Sequence, residues 1–132
     1  MNPDIKRRWI NRLRSGADRQ GSGALHRPAG TTASGAPELC CLGVLCEIAL
    51  EDGIVTRELV GDAYHYADSR DPMDWGSGAL PYAVARWAGL DSIDPVVKAL
   101  HKTGNAPLSL LNDDVVVPYS FPILSQAIEV SL

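Results

Sequence analysis

The sequence predicts an α+β fold, predominantly helical, in a single small domain with a central buried helix at about 41–50 and a small hairpin or sheet. Three observations lead there. The run Cys40-Cys41-Leu42-Gly43-Val44-Leu45-Cys46-Glu47-Ile48-Ala49 is almost wholly apolar and too short to cross a bilayer. It must therefore be packed inside a globular domain. Apolar residues recur at helical spacing in 5–13 and again in 121–130, which predicts amphipathic helices there. Turn-forming residues separate the short stretches 24–26 and 38–40, which suit a paired hairpin. With 132 residues the chain supports one core, hence one domain over 1–132.

The elements follow in order. Asn2 and Pro3 suit the start of a first helix over 3–13, a side-chain cap followed by a residue whose missing N–H costs nothing at that position. Ile5, Trp9, Ile10 and Leu13 form its apolar stripe, and Ser15-Gly16 ends it. Residues 20–37 are rich in Gly, Ser, Ala and Thr, and 21–38 reads as a flexible loop with little to bury. The central helix follows, closed by Asp52-Gly53. Gly43 inside it marks either the first turn or a close approach by another backbone, since glycine mid-helix otherwise costs about 1 kcal/mol relative to alanine. The aromatic stretch from Tyr64 to Trp75 reads as a loop with one strand at most. Pro81 starts a helix over 82–87, 95–100 is a short helix or extended segment, and 107–113 makes one or two helical turns. Val115 to Tyr119 favours an extended path. Ser120 caps a last helix over 121–130, with Pro122 in its first turn.

Charge is distributed unevenly. Up to Arg27 there are seven basic residues against Asp4 and Asp18, while the remainder carries five basic and fourteen acidic ones. The basic arm either contacts phosphate or docks on the acidic remainder of its own chain or of a second subunit. The three cysteines are an odd number, two of them adjacent, which fits reduced thiols in an intracellular protein better than a disulfide framework. Cys40, Cys41 and Cys46 do not have zinc-site spacing, so no metal and no cofactor is expected. They read as small buried hydrophobes.

The candidate ligand-binding residues are Arg14, Gln20, His65, Tyr66, Trp75, Asn112 and Asp113. Arg14 and Gln20 are placed to share a pocket and bind phosphate or carboxylate, although arginine near a helix end also has a capping role. His65 lies between Tyr64 and Tyr66, so aromatic faces and a polar tip suit a flat ligand. Trp75 sits among glycines and polar residues. Asn112-Asp113 is either a ligand contact or ordinary turn chemistry. Gly21-Ser22-Gly23 lacks the strand, helix and lysine of a phosphate loop. No catalytic set is complete.

Several short motifs occur together along almost the whole chain. They are Trp9, Leu13-Arg14-Ser15-Gly16, Gln20-Gly21, Cys40 to Cys46, Leu80-Pro81, Trp87-Ala88-Gly89-Leu90, Leu111-Asn112-Asp113 and Ser120-Phe121. In this order they resemble a widespread family of small bacteriophage and prophage proteins with a Cys-Cys-Leu-Gly-Val-Leu-Cys helix. The chain departs from that pattern at Asp114 to Tyr119, where the family has an early glycine, and in a longer loop at 28–37. The resemblance implies a phage origin and action in the host cell cytoplasm.

Three classes of function follow. The first is a phage accessory protein acting by binding, most plausibly a counter-defence factor that sequesters a nucleotide signal or blocks a host immune protein. The second is a small nucleotide-directed hydrolase using His65 or His101 with Asp68, Asp71 or Asp113. The third is a DNA-associated regulator using the basic first helix, against which the overall acidity counts. The first is preferred, with a homo-oligomer expected because a small core with aromatic residues in loops gains from burying them. No membrane partner is expected.

Overall fold

The computed structural model describes residues 1–132. Its helices are α1 (Pro3–Ser15), α2 (Cys41–Glu51), α3 (Tyr82–Ala88), α4 (Leu108–Asn112) and α5 (Phe121–Ser131). Its strands are β1 (His26–Arg27), β2 (Glu38–Leu39), β3 (Val55–Val60), β4 (Ala63–Asp68), β5 (Asp71–Gly76), β6 (Val96–Lys98) and β7 (Asn105–Pro107). They form three small antiparallel sheets, β1-β2, β3-β4-β5 and β6-β7. No helix is long and apolar enough to cross a membrane.

The expectation of a predominantly helical domain is overturned. Helix accounts for 36% of the chain and strand for 22%, a mixed α+β composition. The difference lies chiefly in the β3-β4-β5 meander, which occupies the stretch read as irregular. Gly61, at φ 69°, makes the turn between β3 and β4. Alternation along β3 is obscured because Arg57, a charged residue, faces inward with Val55. Pro72 lies within β5, a position that argues against a central strand. It is tolerated because β5 is an edge of its sheet. The segment 115–119 forms bends and turns rather than a strand.

α2 is the scaffold. Cys41, Leu42, Gly43, Val44, Leu45, Cys46, Ile48 and Ala49 are all buried, so both sides of the helix meet neighbours. α1 lays Ile5, Trp9, Ile10 and Leu13 toward the core, and the Trp9 indole donates to the Cys41 carbonyl at 2.9 Å. Asn2 caps α1, its side-chain oxygen accepting from Asp4 N at 2.9 Å and Ile5 N at 3.2 Å. Gly43 is a point of close approach: a Cβ there would collide with the Leu25 carbonyl. The β1 segment therefore runs directly against α2, which brings His26 beside Glu47. α5 packs mainly on α1 and β6. Ser120 precedes α5 but makes no side-chain cap. Asp74 on β5 caps α3 from a distance, accepting from Tyr82 N at 2.8 Å and Ala83 N at 2.9 Å.

Candidate functional site

Strand periodicity sorts the β4 side chains onto two faces. Tyr64 and the buried Tyr66 share one face with Arg57 and the half-exposed Leu59 of β3, the face that meets α2 at Arg57 and Tyr66, while His65 lies on the other with Glu58. Glu47 is the one charged residue in the apolar run of α2, and it meets the Arg57–Tyr66 face. Arg57 donates to Glu47 Oε1 at 2.6 Å, and the Tyr66 hydroxyl donates to Glu47 Oε2 at 2.9 Å. His26 Nδ1 lies 2.8 Å from the Tyr66 oxygen. The Arg57 guanidinium sits over the Tyr64 ring, 4.5 Å from its centroid, and the His26 and Tyr64 rings approach to 4.7 Å.

Of these groups His26, Glu47, Arg57 and Tyr64 line a cleft of about 630 Å³, with Tyr66 buried behind them, a volume in the range of small-molecule sites. Asp18, paired with Arg12, and the exposed Arg19 also line it, and the 28–37 turns contribute Pro28, Ala29, Ala36 and Pro37. Those turns are held by hydrogen bonds, including Gly30 N to Gly35 O at 3.2 Å and Thr32 Oγ1 to Ala36 O at 2.6 Å. Arg19 pairs with Glu38 only at 3.5 Å, and its side chain is 63% exposed. Burial pushes the His26 imidazole pKa down, with Glu47 partly offsetting the effect. A neutral ring accepts as well as donates hydrogen bonds. Burial, reinforced by the Glu47 charge, pushes the Tyr66 phenol far up, so it stays protonated.

Residues 1–132 match a family model described as a domain of unknown function (DUF8296). The chain belongs to this family. No curated protein and no solved structure matches it.

The residues singled out in this DUF8296 chain fall in four places. Arg14, in the last turn of α1, reaches across to α5: its Nε donates to Ser125 Oγ at 2.9 Å and its Nη2 pairs with Glu129 at 2.8 Å. It does not share a pocket with Gln20. Gln20, Asn112 and Asp113 come together along a second cleft, with Gln20 Nε2, both polar atoms of Asn112 and both carboxylate oxygens of Asp113 engaged within the chain. Asn112 Oδ1 accepts from Cys41 N at 3.1 Å and Gln20 Nε2 at 3.2 Å, while its Nδ2 donates to Gly21 O at 2.8 Å and Asp113 Oδ1 at 2.9 Å. Gln20 also donates to Tyr119 O at 2.9 Å. Asn112 thus ties the start of α2 to the 20–21 segment. His65 and Trp75 stack on the outer face of the meander, centroids 4.5 Å apart and planes 2° apart. Tyr66 belongs to the buried cluster on the opposite face.

Glu47 and Arg57 are not among the residues the sequence points to, Arg19 and Tyr64 enter only as neighbours of Gln20 and His65, and His65 ranks there above His26. One signal was available. A carboxylate in a helix that is otherwise buried requires a cationic or hydrogen-bonding partner, so Glu47 marked the place where polar side chains must converge. Which histidine supplied part of that environment depended on the β1 approach to α2, set by Gly43 and Leu25.

The thiols are interior. All three are free and buried. Burial pushes Cys40 up to about 11 and Cys41 and Cys46 well above the ordinary thiol value. Such groups remain protonated and unreactive near neutrality.

Proposed function

We propose that this DUF8296 protein is a phage-encoded accessory factor that acts by binding rather than catalysis, holding a nucleotide-type signal in the His26–Arg57–Tyr64 cleft and so countering a host defence. The observation that carries this reading is the cleft itself. Its lining combines the His26 imidazole, the Arg57–Tyr64 layer with Arg57 paired to Glu47, and a loosely paired, exposed arginine, Arg19. A flat base with a phosphate attached matches that combination of aromatic, polar and cationic groups. The short motifs shared with phage proteins support the origin and the setting in the host cytoplasm.

The DNA reading loses its main support. Apart from Arg19, whose pairing with Glu38 is loose, the basic residues of the N-terminal arm have partners in the chain: Lys6 with Glu129 O, Arg7 with Asp4, Arg8 with Asp52, Arg12 with Asp18 and Glu51, Arg14 with Glu129, and Arg27 with Ser22 O. Charges committed in this way have less to offer a phosphate backbone.

A second reading, blockade of a host immune protein or self-association, is favoured by the outer face of the meander and its edge. Met73 there is 84% exposed and Trp75 53% exposed.

The deciding experiment is a thermal-shift panel of cyclic, linear and ADP-ribose-type nucleotides on the purified protein, with recovery of each nucleotide afterwards. A bound nucleotide at a hundred times its Kd stabilises the fold by about 2.7 kcal/mol and is recovered unchanged. Arg19→Ala and Tyr64→Ala reduce the shift. A panel without any shift, or one in which a nucleotide is converted to product, sinks the reading. Loss of counter-defence in Trp75→Ser with nucleotide binding intact selects blockade.

A further inference from the structure

Glu47, Tyr66 and His26 form a hydrogen-bond chain whose direction can be worked out. Tyr66 has one hydroxyl proton. Glu47 Oε2, at 2.9 Å, belongs to a carboxylate that also accepts from Arg57 at 2.6 Å, and an ionised carboxylate only accepts. The phenol proton therefore goes to Glu47. The Tyr66 oxygen is left as an acceptor for His26 Nδ1 at 2.8 Å, so Nδ1 carries the imidazole proton. Desolvation of the ring favours its neutral form; Glu47 from α2 and Asp18 oppose it, whereas Arg57 from β3 and Arg12 from α1 reinforce it. Tyr64 and Tyr66 face it from β4 as neutral groups. A neutral imidazole protonated at Nδ1 has a bare Nε2.

That second nitrogen opens on the cleft. No buried side-chain nitrogen or oxygen lacks a partner, and the ring's hydrogen bond is made through Nδ1. His26 lines the cavity and is only 6% exposed, so its ring belongs to the buried part of the wall, whereas the Arg19 side chain on the same lining is 63% exposed. Phosphate oxygens are acceptors and cannot satisfy a bare nitrogen. A ligand must bring an N–H or O–H to this nitrogen.

We propose that the Glu47–Tyr66–His26 relay fixes His26 Nε2 as a hydrogen-bond acceptor that selects amino-bearing purine nucleotides, the exocyclic amine donating to Nε2 and the phosphate meeting Arg19. This rests on the nucleotide-binding reading and adds the ligand class. Tyr66 is a positioning residue in it, since it acts through His26.

The test has two independent parts. Nitrogen NMR of the His26 ring in the unliganded protein reads the tautomer directly, and finds Nδ1 protonated and Nε2 bare at neutral pH. Calorimetric titration then compares AMP with purine riboside monophosphate, which lacks the amino group. AMP binds roughly tenfold tighter or more, as expected for one lost hydrogen bond to a buried group. In Tyr66→Phe, checked for an unchanged fold, the ring becomes a tautomer mixture and the preference for AMP falls, with purine riboside monophosphate little affected. A protonated Nε2 in the native protein overturns the relay. Equal binding of the two nucleotides with Nε2 bare overturns the recognition role and leaves nucleotide binding standing. Binding of neither, with Nε2 bare, overturns the nucleotide reading and the selection built on it.

Discussion

At the scale of single residues, buried polar side chains matter most. Asn112 satisfies four groups from three segments. Asn112→Ala leaves Cys41 N and Gly21 O unpaired, and should lower stability by about 2–3 kcal/mol in urea unfolding. His26 makes stability depend on pH. Its pKa is lowered in the fold, so the unfolded chain takes up the proton first. Its contribution is complete above about 6.5 and is lost as pH falls through the lower folded value. The urea midpoint should therefore decline below that pH, and His26→Gln should make the decline shallower. The thiols act at the other end of the scale. Their folded pKa values are raised, so their contribution is present below the unfolded thiol pKa and is lost as pH rises. Stability should fall above about pH 9, where exposed thiols ionise, and a triple Cys→Ala variant should show less of that alkaline loss.

At the scale of elements, the closeness of β1 to α2 positions the site. Gly43→Ala places a methyl group against the Leu25 carbonyl. The strand must retreat, which costs about 1–3 kcal/mol, and the His26–Tyr66 distance opens. A shifted His26 ring resonance together with a lowered melting temperature would show both effects. Several elements were legible in sequence because local signals agreed with the fold. α1 has its cap, its Pro3 and its stripe, and α2 announces itself by hydrophobicity. The meander was not legible. Its α2-facing side carries Arg57 and the buried Tyr66, both bonded to Glu47 of α2, and Pro72 reads as a strand breaker until β5 is known to be an edge. The site shared that difficulty, since His26, Glu47, Arg57 and Tyr66 come from four separate elements. By contrast, the hairpin stretches at 24–26 and 38–40 were marked by flanking turn residues, and β1 and β2 pair there, His26 with Leu39.

At the scale of the whole molecule, charge asymmetry is resolved by folding. The basic arm finds Glu51 and Asp52 at the end of α2 and Glu129 on α5. Exposed pairs of this kind contribute only about 0–1 kcal/mol each, so their larger effect is on what the surface presents. Replacing Glu51, Asp52 and Glu129 with their amides removes the carboxylate partners of Arg8 and Arg14 and leaves Arg12 with Asp18 alone. The triple variant should bind duplex DNA in a steeply salt-dependent way, whereas the wild type should elute from a DNA column at low salt. Strong retention of the wild type at physiological salt would contradict the self-neutralised surface.

The pairing of α1 with α5 also bears on biosynthesis. Among the elements, α1 leaves the ribosome first and α5 last, yet Arg14 and Lys6 both find their counterparts at residue 129, and Leu124 and Ile128 complete the same interior as Trp9. Throughout translation α1 therefore waits, cationic and half-covered, for a segment not yet made. Nascent chains stalled before 121 should be captured by chaperones that bind basic, apolar stretches, and should be released once α5 has emerged.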